Sequence, residues 1–241
     1  MIHMVKFLPI LPTSNIFDSY PTFSDTLIIP AHVQSLNLSR FKNETIFIDN
    51  GIYETKQPFS ERLLLSQTHT ARQIHSTKYL VLPDIIGQCD KTIALVKKYQ
   101  KLYSDFLTIG VVQAKNTREL IKISKFYNKN ADMVAYSAPP FHTDFDNLNN
   151  SLLLKLTETS TVPIHLFSFS PSYLRYPSIF ENIRSFDSTY PIKCLITGDS
   201  FGGDSPRPAQ YFSYHFTRNQ IVAQLRAFRN WMYLTHNIRL R

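Results

Sequence analysis

Among its 241 residues the chain has only two cysteines, Cys89 and Cys194. Two thiols exclude a disulfide framework and fit a reducing compartment. No apolar run approaches the length of a membrane span. The segment Met4-Val-Lys-Phe-Leu-Pro-Ile-Leu11 is too short and proline-broken to serve as the apolar core of a signal peptide. Low-complexity linkers, blocks of like charge and internal repeats at a fixed period are also missing, so nothing divides the chain into parts. Acidic residues are scarce: 18 Asp and Glu stand against 26 Lys and Arg, for a net charge of +8 and a pI near 9.4. That balance points to a polyanionic partner, nucleic acid first and an anionic membrane surface second. A merely soluble basic protein would carry the same charge. A cytoplasmic protein is the expectation.

The chain does have enough apolar mass, at 43% hydrophobic residues, to bury one sizeable core. The stretch Thr45-Ile-Phe-Ile-Asp49-Asn-Gly-Ile-Tyr-Glu54 sets the pattern. Ile46, Phe47 and Ile48 read as a strand buried on both faces. The run stops at Asp49, followed by Asn50-Gly51, a pair suited to a tight turn. A carboxylate at the end of a buried strand is costly unless it is paired or used. The grammar recurs: Tyr79-Leu-Val-Leu-Pro-Asp84 ends in Asp84, Leu107-Thr-Ile-Gly-Val-Val-Gln113 in Gln113, and Ile183-Arg-Ser-Phe-Asp187 in Asp187. Apolar strands that each deliver one polar side chain at the C-terminal end are how a (β/α)8 barrel builds an active site. The expected fold is therefore a single compact (β/α)8 TIM barrel covering residues 1–241.

Strands are expected at Val5–Leu8, Thr26–Ile29, Thr45–Ile48, Lys78–Leu82, Phe106–Val112, Met133–Tyr136, Pro163–Phe169, Ile183–Phe186 and Lys193–Thr197. That is nine candidates for eight positions, so one N-terminal run is expected to be an appendage. Helices are expected at Glu61–His75, after an Asp90 N-cap, from an Asn116/Glu119 capping box to Tyr127, at Leu148–Leu156 and at Ser178–Asn182. The longest is Thr217–Thr235, with Ile221, Leu225, Phe228 and Met232 on one stripe and Arg218, Arg226 and Arg229 off it. Residues 198–210 read as a surface loop. His165 on an apolar strand reads as a hydrogen-bonded core histidine. His69, His75, His142, His215 and His236 show no metal-ligand spacing, and neither a metal nor a cofactor is expected.

Taken in order, these strand ends resemble the tRNA-guanine transglycosylase superfamily. Its Asp-Ser-Gly-Gly turn has a counterpart in Asp49-Asn50-Gly51, and its next strand-end Asp in Pro83-Asp84. Gly110-Val-Val-Gln113 is similar to its Gly-Ile-Val-Gln strand, and Phe186-Asp187-Ser-Thr-Tyr-Pro191 to its late Phe-Asp with a following proline. Pro163-Ile-His-Leu166 and Thr235-His-Asn-Ile238 extend the likeness to residues 45–238. Departures are equally plain. The family's cluster of three cysteines and a histidine is missing, so a structural zinc of that kind is excluded on ligand count. Ile52 replaces the turn's second glycine, and Ser137-Ala138 replaces a Gly-Gly pair at the base pocket. A short chain without the zinc subdomain resembles the phage and bacterial DpdA-type proteins, which place 7-deazaguanines into DNA. This adds the cytosol of a phage-infected host to the expected locations.

The resemblance implies base exchange through an oxocarbenium-like transition state. Asp187 would be the nucleophile and Asp49 the proton-handling group. Asp84 would read N1–H and the 2-amino group of guanine, and Gln113 would read O6, with Asn50, Gly51, Ser137 and Tyr53 also lining the base site. By loop position alone, Tyr53, Tyr136 or Phe141 is placed to sandwich a flipped base. Apart from the resemblance, Arg218, Arg226 and Arg229 on the polar side of the last helix are candidates to meet phosphate. The partners implied are nucleic acid, DNA ahead of tRNA, and a 7-deazaguanine base, and a homodimer is compatible with the resemblance. Plainer readings stand beside these. Asp49 suits an ordinary turn, Asp84 and Asp187 suit caps, Gln113 suits loop backbone, and the arginines suit a solvated helix face. A non-catalytic nucleic-acid-binding relative is the alternative from another class.

Overall fold

In the computed structural model, β1 (His3–Pro9) is flanked by β8 (Ile183–Ser188) and by a short terminal strand, β9 (Ile238–Leu240). The remaining strands are β2 (Thr26–Ile29), β3 (Thr45–Ile48), β4 (Thr77–Val81), β5 (Leu107–Val112), β6 (Met133–Ser137) and β7 (Ile164–Phe167). The structure describes residues 3–9, 26–29, 45–52, 58–75, 77–137, 145–169, 173–174, 179–188, 190–203 and 216–240. Every ladder is parallel, and the order is β2-β3-β4-β5-β6-β7-β8-β1-β9. β1 and β2 also lie side by side, which brings the eight-stranded sheet round on itself. β9 takes the N-terminal half of β1 (His3↔Ile238, Val5↔Leu240), while β8 takes the C-terminal half (Lys6↔Ser185, Leu8↔Asp187).

From β3 to β8 helices alternate with the strands, as parallel pairing requires. They are α1 (Glu61–Arg72), α2 (Cys89–Tyr99), α3 (Thr117–Asn130), α4 (Phe145–Thr159), α5 (Ile179–Asn182), α6 (Tyr190–Thr197) and α7 (Arg218–His236). Strand alternation divides the core in two. Phe47, Val81, Ile109, Val111, Met133 and Ala135 fill the barrel, with Tyr79 and Phe167 against them. Their neighbours Ile46, Ile48, Leu80, Leu82, Val112, Val134, Tyr136 and Phe186 pack outward under the helices. There the α7 stripe of Ile221, Leu225, Phe228 and Met232 is buried as its spacing predicts, and Phe228 packs at tilted or edge-on angles against Phe7, Tyr190, Phe201 and Trp231.

Four expectations need correction. Both N-terminal runs are barrel strands, and the surplus candidate is Lys193–Thr197, which lies in α6. Pro191 in the first helical turn costs no hydrogen bond, and Ser188 accepts from the Tyr190 amide (2.9 Å), so the Ile-rich run starts as helix. Asp90 is not the N-cap of α2. Gln88 holds that place, and Asp90 sits in the first turn, paired with Lys122 at 2.6 Å. Asn116 does cap α3 by accepting from the Glu119 amide, but the Glu119 carboxylate reaches back to the amide of Lys115 (2.8 Å). Tyr136 is 1% exposed among the outward-packed residues, because Ala135 takes the inward place on β6. It cannot flank a ligand at the rim.

Candidate active site at the C-terminal rim of the barrel

Asp49, Gln113 and Asp187 each continue the inward parity of their strands, from Phe47, Val111 and Ser185. β3 and β4 are clasped just below the rim by a residue that sequence reasoning missed. Gln67, on the buried face of α1 and 0% exposed, donates from Nε2 to the carbonyls of Ile48 and Val81 (2.9 Å each). Its Oε1 accepts from the Tyr103 hydroxyl at 2.8 Å. The available signal was a polar residue at helical spacing between Leu64 and Ala71.

Above that clasp the chain turns at Gly51, whose φ of 73° lies in the left-handed region that glycine adopts without strain. Its amide donates to Asp49 Oδ2 at 3.2 Å. Asn50 is drawn inward and buried. Its Nδ2 donates to the Leu82 carbonyl (2.9 Å) and to Asp84 Oδ1 (2.7 Å), and its Oδ1 accepts from the Ile52 amide (3.1 Å). Gln113 grips the other oxygen of the same carboxylate: Nε2 donates to Asp84 Oδ2 at 2.7 Å, and Oε1 accepts from the Gly87 amide at 3.0 Å. Asp84 is thus braced by two amides from two neighbouring loops. A carboxylate has about four acceptor sites, so some acceptor capacity stays open beyond these two amides and the backbone amide of Asp84 itself. Burial pushes the Asp84 carboxyl up to about 6; the Asn50 and Gln113 bonds oppose the rise, and the charge of Asp49 adds to it.

Asp187, 3% exposed, accepts at Oδ1 from the amide of Ser168 at the end of β7. The Asp187 carbonyl accepts from the amide of Phe169 (2.9 Å). Burial raises its carboxyl to about 8; the Ser168 amide holds the rise back, and Asp49 again adds to it. Asp49, half-buried, therefore acts electrostatically on both other carboxyls. The structure brings Asp49, Asn50, Gly51, Asp84, Gln113 and Asp187 to one rim.

The other expected site residues fare differently. Ser137 ends β6, opposite Phe167. Tyr53 and Phe141 lie outside the described residues. Arg226 is exposed and Arg229 half-buried on α7, in the outer helical layer, and Arg218 begins that helix. Exposed Arg226 stands apart from the carboxylate group. Among the described residues, no set of three His, Cys, Asp or Glu side chains is placed to hold a metal ion. No described helix is long and apolar enough to cross a membrane.

No protein-family model and no curated protein matches the chain. Among solved structures it is similar to the YdjI aldolase from Escherichia coli K12, at 10% identity and a TM-score of 0.53, over 98% of this chain and 92% of that one. It is also similar to RipC from Yersinia pestis, at 12% identity over 78% and 90% of the two chains, but a TM-score of 0.47 adds nothing about the fold. The aldolase likeness bears on architecture alone. With the parallel sheet and its alternating helices, it makes this chain a (β/α)8 barrel.

Proposed function

We propose that the chain is an enzyme, a pentosyltransferase that exchanges guanine in DNA for a 7-substituted 7-deazaguanine through a covalent Asp187 intermediate. The observation that supports this best is the bracing of Asp84 between Asn50 and Gln113, beside an Asp49 charge that also reaches Asp187. A site for guanine needs a fixed carboxylate to accept from N1–H and the 2-amino group, and an amide N–H to meet O6. Asp84 has the open acceptor sites, and Gln113 keeps a second N–H beyond the one given to Asp84. Asn50 serves by holding Asp84, since both its amide protons are engaged.

In the exchange, Asp49 acts in its protonated form: a carboxylate oxygen of Asp187 attacks C1′, the glycosidic bond breaks, guanine departs with the Asp49 proton, and Asp49 is left as the carboxylate. The incoming 7-deazaguanine gives its N9 proton to Asp49 and displaces Asp187 from C1′. The buried carboxyl of Asp187 must ionise while Asp49 keeps its proton, so exchange gains rate as Asp187 ionises toward about pH 8 and loses it once Asp49 is deprotonated.

Incorporation of labelled guanine tests the reading. Protein is incubated with labelled guanine and either guanine-containing DNA or unmodified tRNA. Label in DNA is expected. Label in tRNA alone moves the activity to the alternative substrate, and label in neither, with binding retained, leaves a non-catalytic nucleic-acid-binding relative.

A further inference from the structure

The barrel has a second opening, at the N-terminal ends of its strands and opposite the carboxylate rim. A cavity of about 100 Å³ is lined there by Lys6, Thr45, Thr77, Tyr79, Arg184 and Ser185 over a floor of Phe47 and Met133. Thr45, Thr77 and Met133 are the first residues of their strands, and Arg184 and Ser185 enter β8. Ladder pairing explains how Arg184 comes to line it. Ile164 pairs with Ile183 and His165 with Ser185, so Arg184 is the extra residue of a bulge, which re-aims a side chain.

The chemistry of the lining is one-sided. It presents an ammonium, a guanidinium and four hydroxyls, and no carboxylate. Besides burial, the charge of Asp132 reaches the phenol of Tyr79, and that of Arg184 does so less strongly in the opposite sense. Asp132 Oδ2 is engaged by the amide and hydroxyl of Thr108, at 2.8 and 3.1 Å. Ser185 is held from behind by Nδ1 of His165 at 2.9 Å, and it is 1% exposed. Thr77 and Arg184 are exposed, so the cavity opens to solvent at its mouth. The volume is well above the need of one water.

We infer that this N-terminal mouth binds a small tetrahedral oxyanion of phosphate type, with Arg184 and Lys6 supplying charge and Thr77, Tyr79, Thr45 and Ser185 supplying hydrogen bonds. The site is independent of the exchange reaction and stands or falls apart from it.

Inorganic phosphate is the probe, titrated against the full chain at constant ionic strength kept with chloride, with unfolding temperature as the readout. A saturable rise with phosphate and none with chloride is expected. Half-saturation should move at least tenfold higher in Arg184→Gln and in Thr77→Val, both exposed positions, while Asp187→Asn at the far rim leaves it unchanged. A rise that does not saturate, or that is the same in both mouth variants, overturns the inference. Repeating the titration with a deoxynucleoside monophosphate separates the sources: competition marks a nucleotide phosphate as the occupant, and its lack marks the free anion.

Discussion

Burying Asp187 costs folding free energy whenever its carboxyl is ionised. The ordinary value of 3.8 rises to about 8 in the folded chain, so the native state holds an extra proton between those values. Stability linked to this group is full below 3.8 and is lost as pH climbs toward 8. Above pH 7.5 Asp84, raised to about 6, and His165, lowered from 6.5 to about 3 by burial, hold nearly the same number of protons folded and unfolded. Between pH 7.5 and 9 the unfolding temperature should therefore fall in the native chain and fall much less in Asp187→Asn. The variant should be the more stable protein at pH 9, by on the order of 5 kcal/mol for a displacement from 3.8 to about 8 at ~1.4 kcal/mol per unit, and inactive in exchange. Parallel pH profiles for the two proteins would contradict the buried-acid description. Ser168, which donates to Asp187, has a φ of 57°, where a residue with a side chain is strained by about 1–2 kcal/mol. Ser168→Gly should keep activity and gain stability, whereas Ser168→Val should lose both, as read by thermal melts and labelled-guanine uptake. These roles were only half legible. Asp49, Asp84, Gln113 and Asp187 announce themselves as polar residues closing apolar strands. Asn50 reads as a turn former, and nothing near it in sequence tells that its amide turns back 34 residues away to hold Asp84.

At the scale of elements, β3 and β4 are held at the height of the site by α1. Replacing Gln67 with Leu leaves the carbonyls of Ile48 and Val81 and the Tyr103 hydroxyl without their partner in a dry interior. The expected cost is about 2–4 kcal/mol, from roughly 1–3 per buried unsatisfied group with partial relaxation, measurable by denaturant unfolding. A loss below about 0.5 kcal/mol would contradict the clasp. β5 leans on α3 in a different way. A Cβ at Gly110 would meet Cδ1 of Tyr127 at 2.2 Å, so the ring needs the bare strand beneath it. Gly110→Ala should then cost about 1–3 kcal/mol. Periodicity revealed α7 well, because its apolar stripe has no competitor. It misread Lys193–Thr197, where β-branched residues favour a strand locally and the Pro191 start decides for helix.

Across the whole molecule, the two mouths of the barrel differ in charge. Carboxyl groups gather where the strands end, and cationic side chains gather where they begin. The eightfold α/β rhythm was readable from strand spacing alone, although assigning the surplus strand needed the ladders. A net charge of +8 predicts DNA binding that weakens steeply with salt. If exposed Arg226 meets a phosphate, Arg226→Gln should lower the log–log salt slope by about 0.9, in binding titrations from low to moderate salt. The rim account itself meets its most direct test in trapping. Native protein is mixed with guanine-containing DNA, denatured, and resolved by mass. The account predicts a DNA adduct that survives denaturation, is lost in Asp187→Asn, and is released by added 7-deazaguanine. An adduct that persists in Asp187→Asn and disappears in Asp49→Asn, or no adduct at any pH up to about 8, the value to which burial raises Asp187, would contradict it.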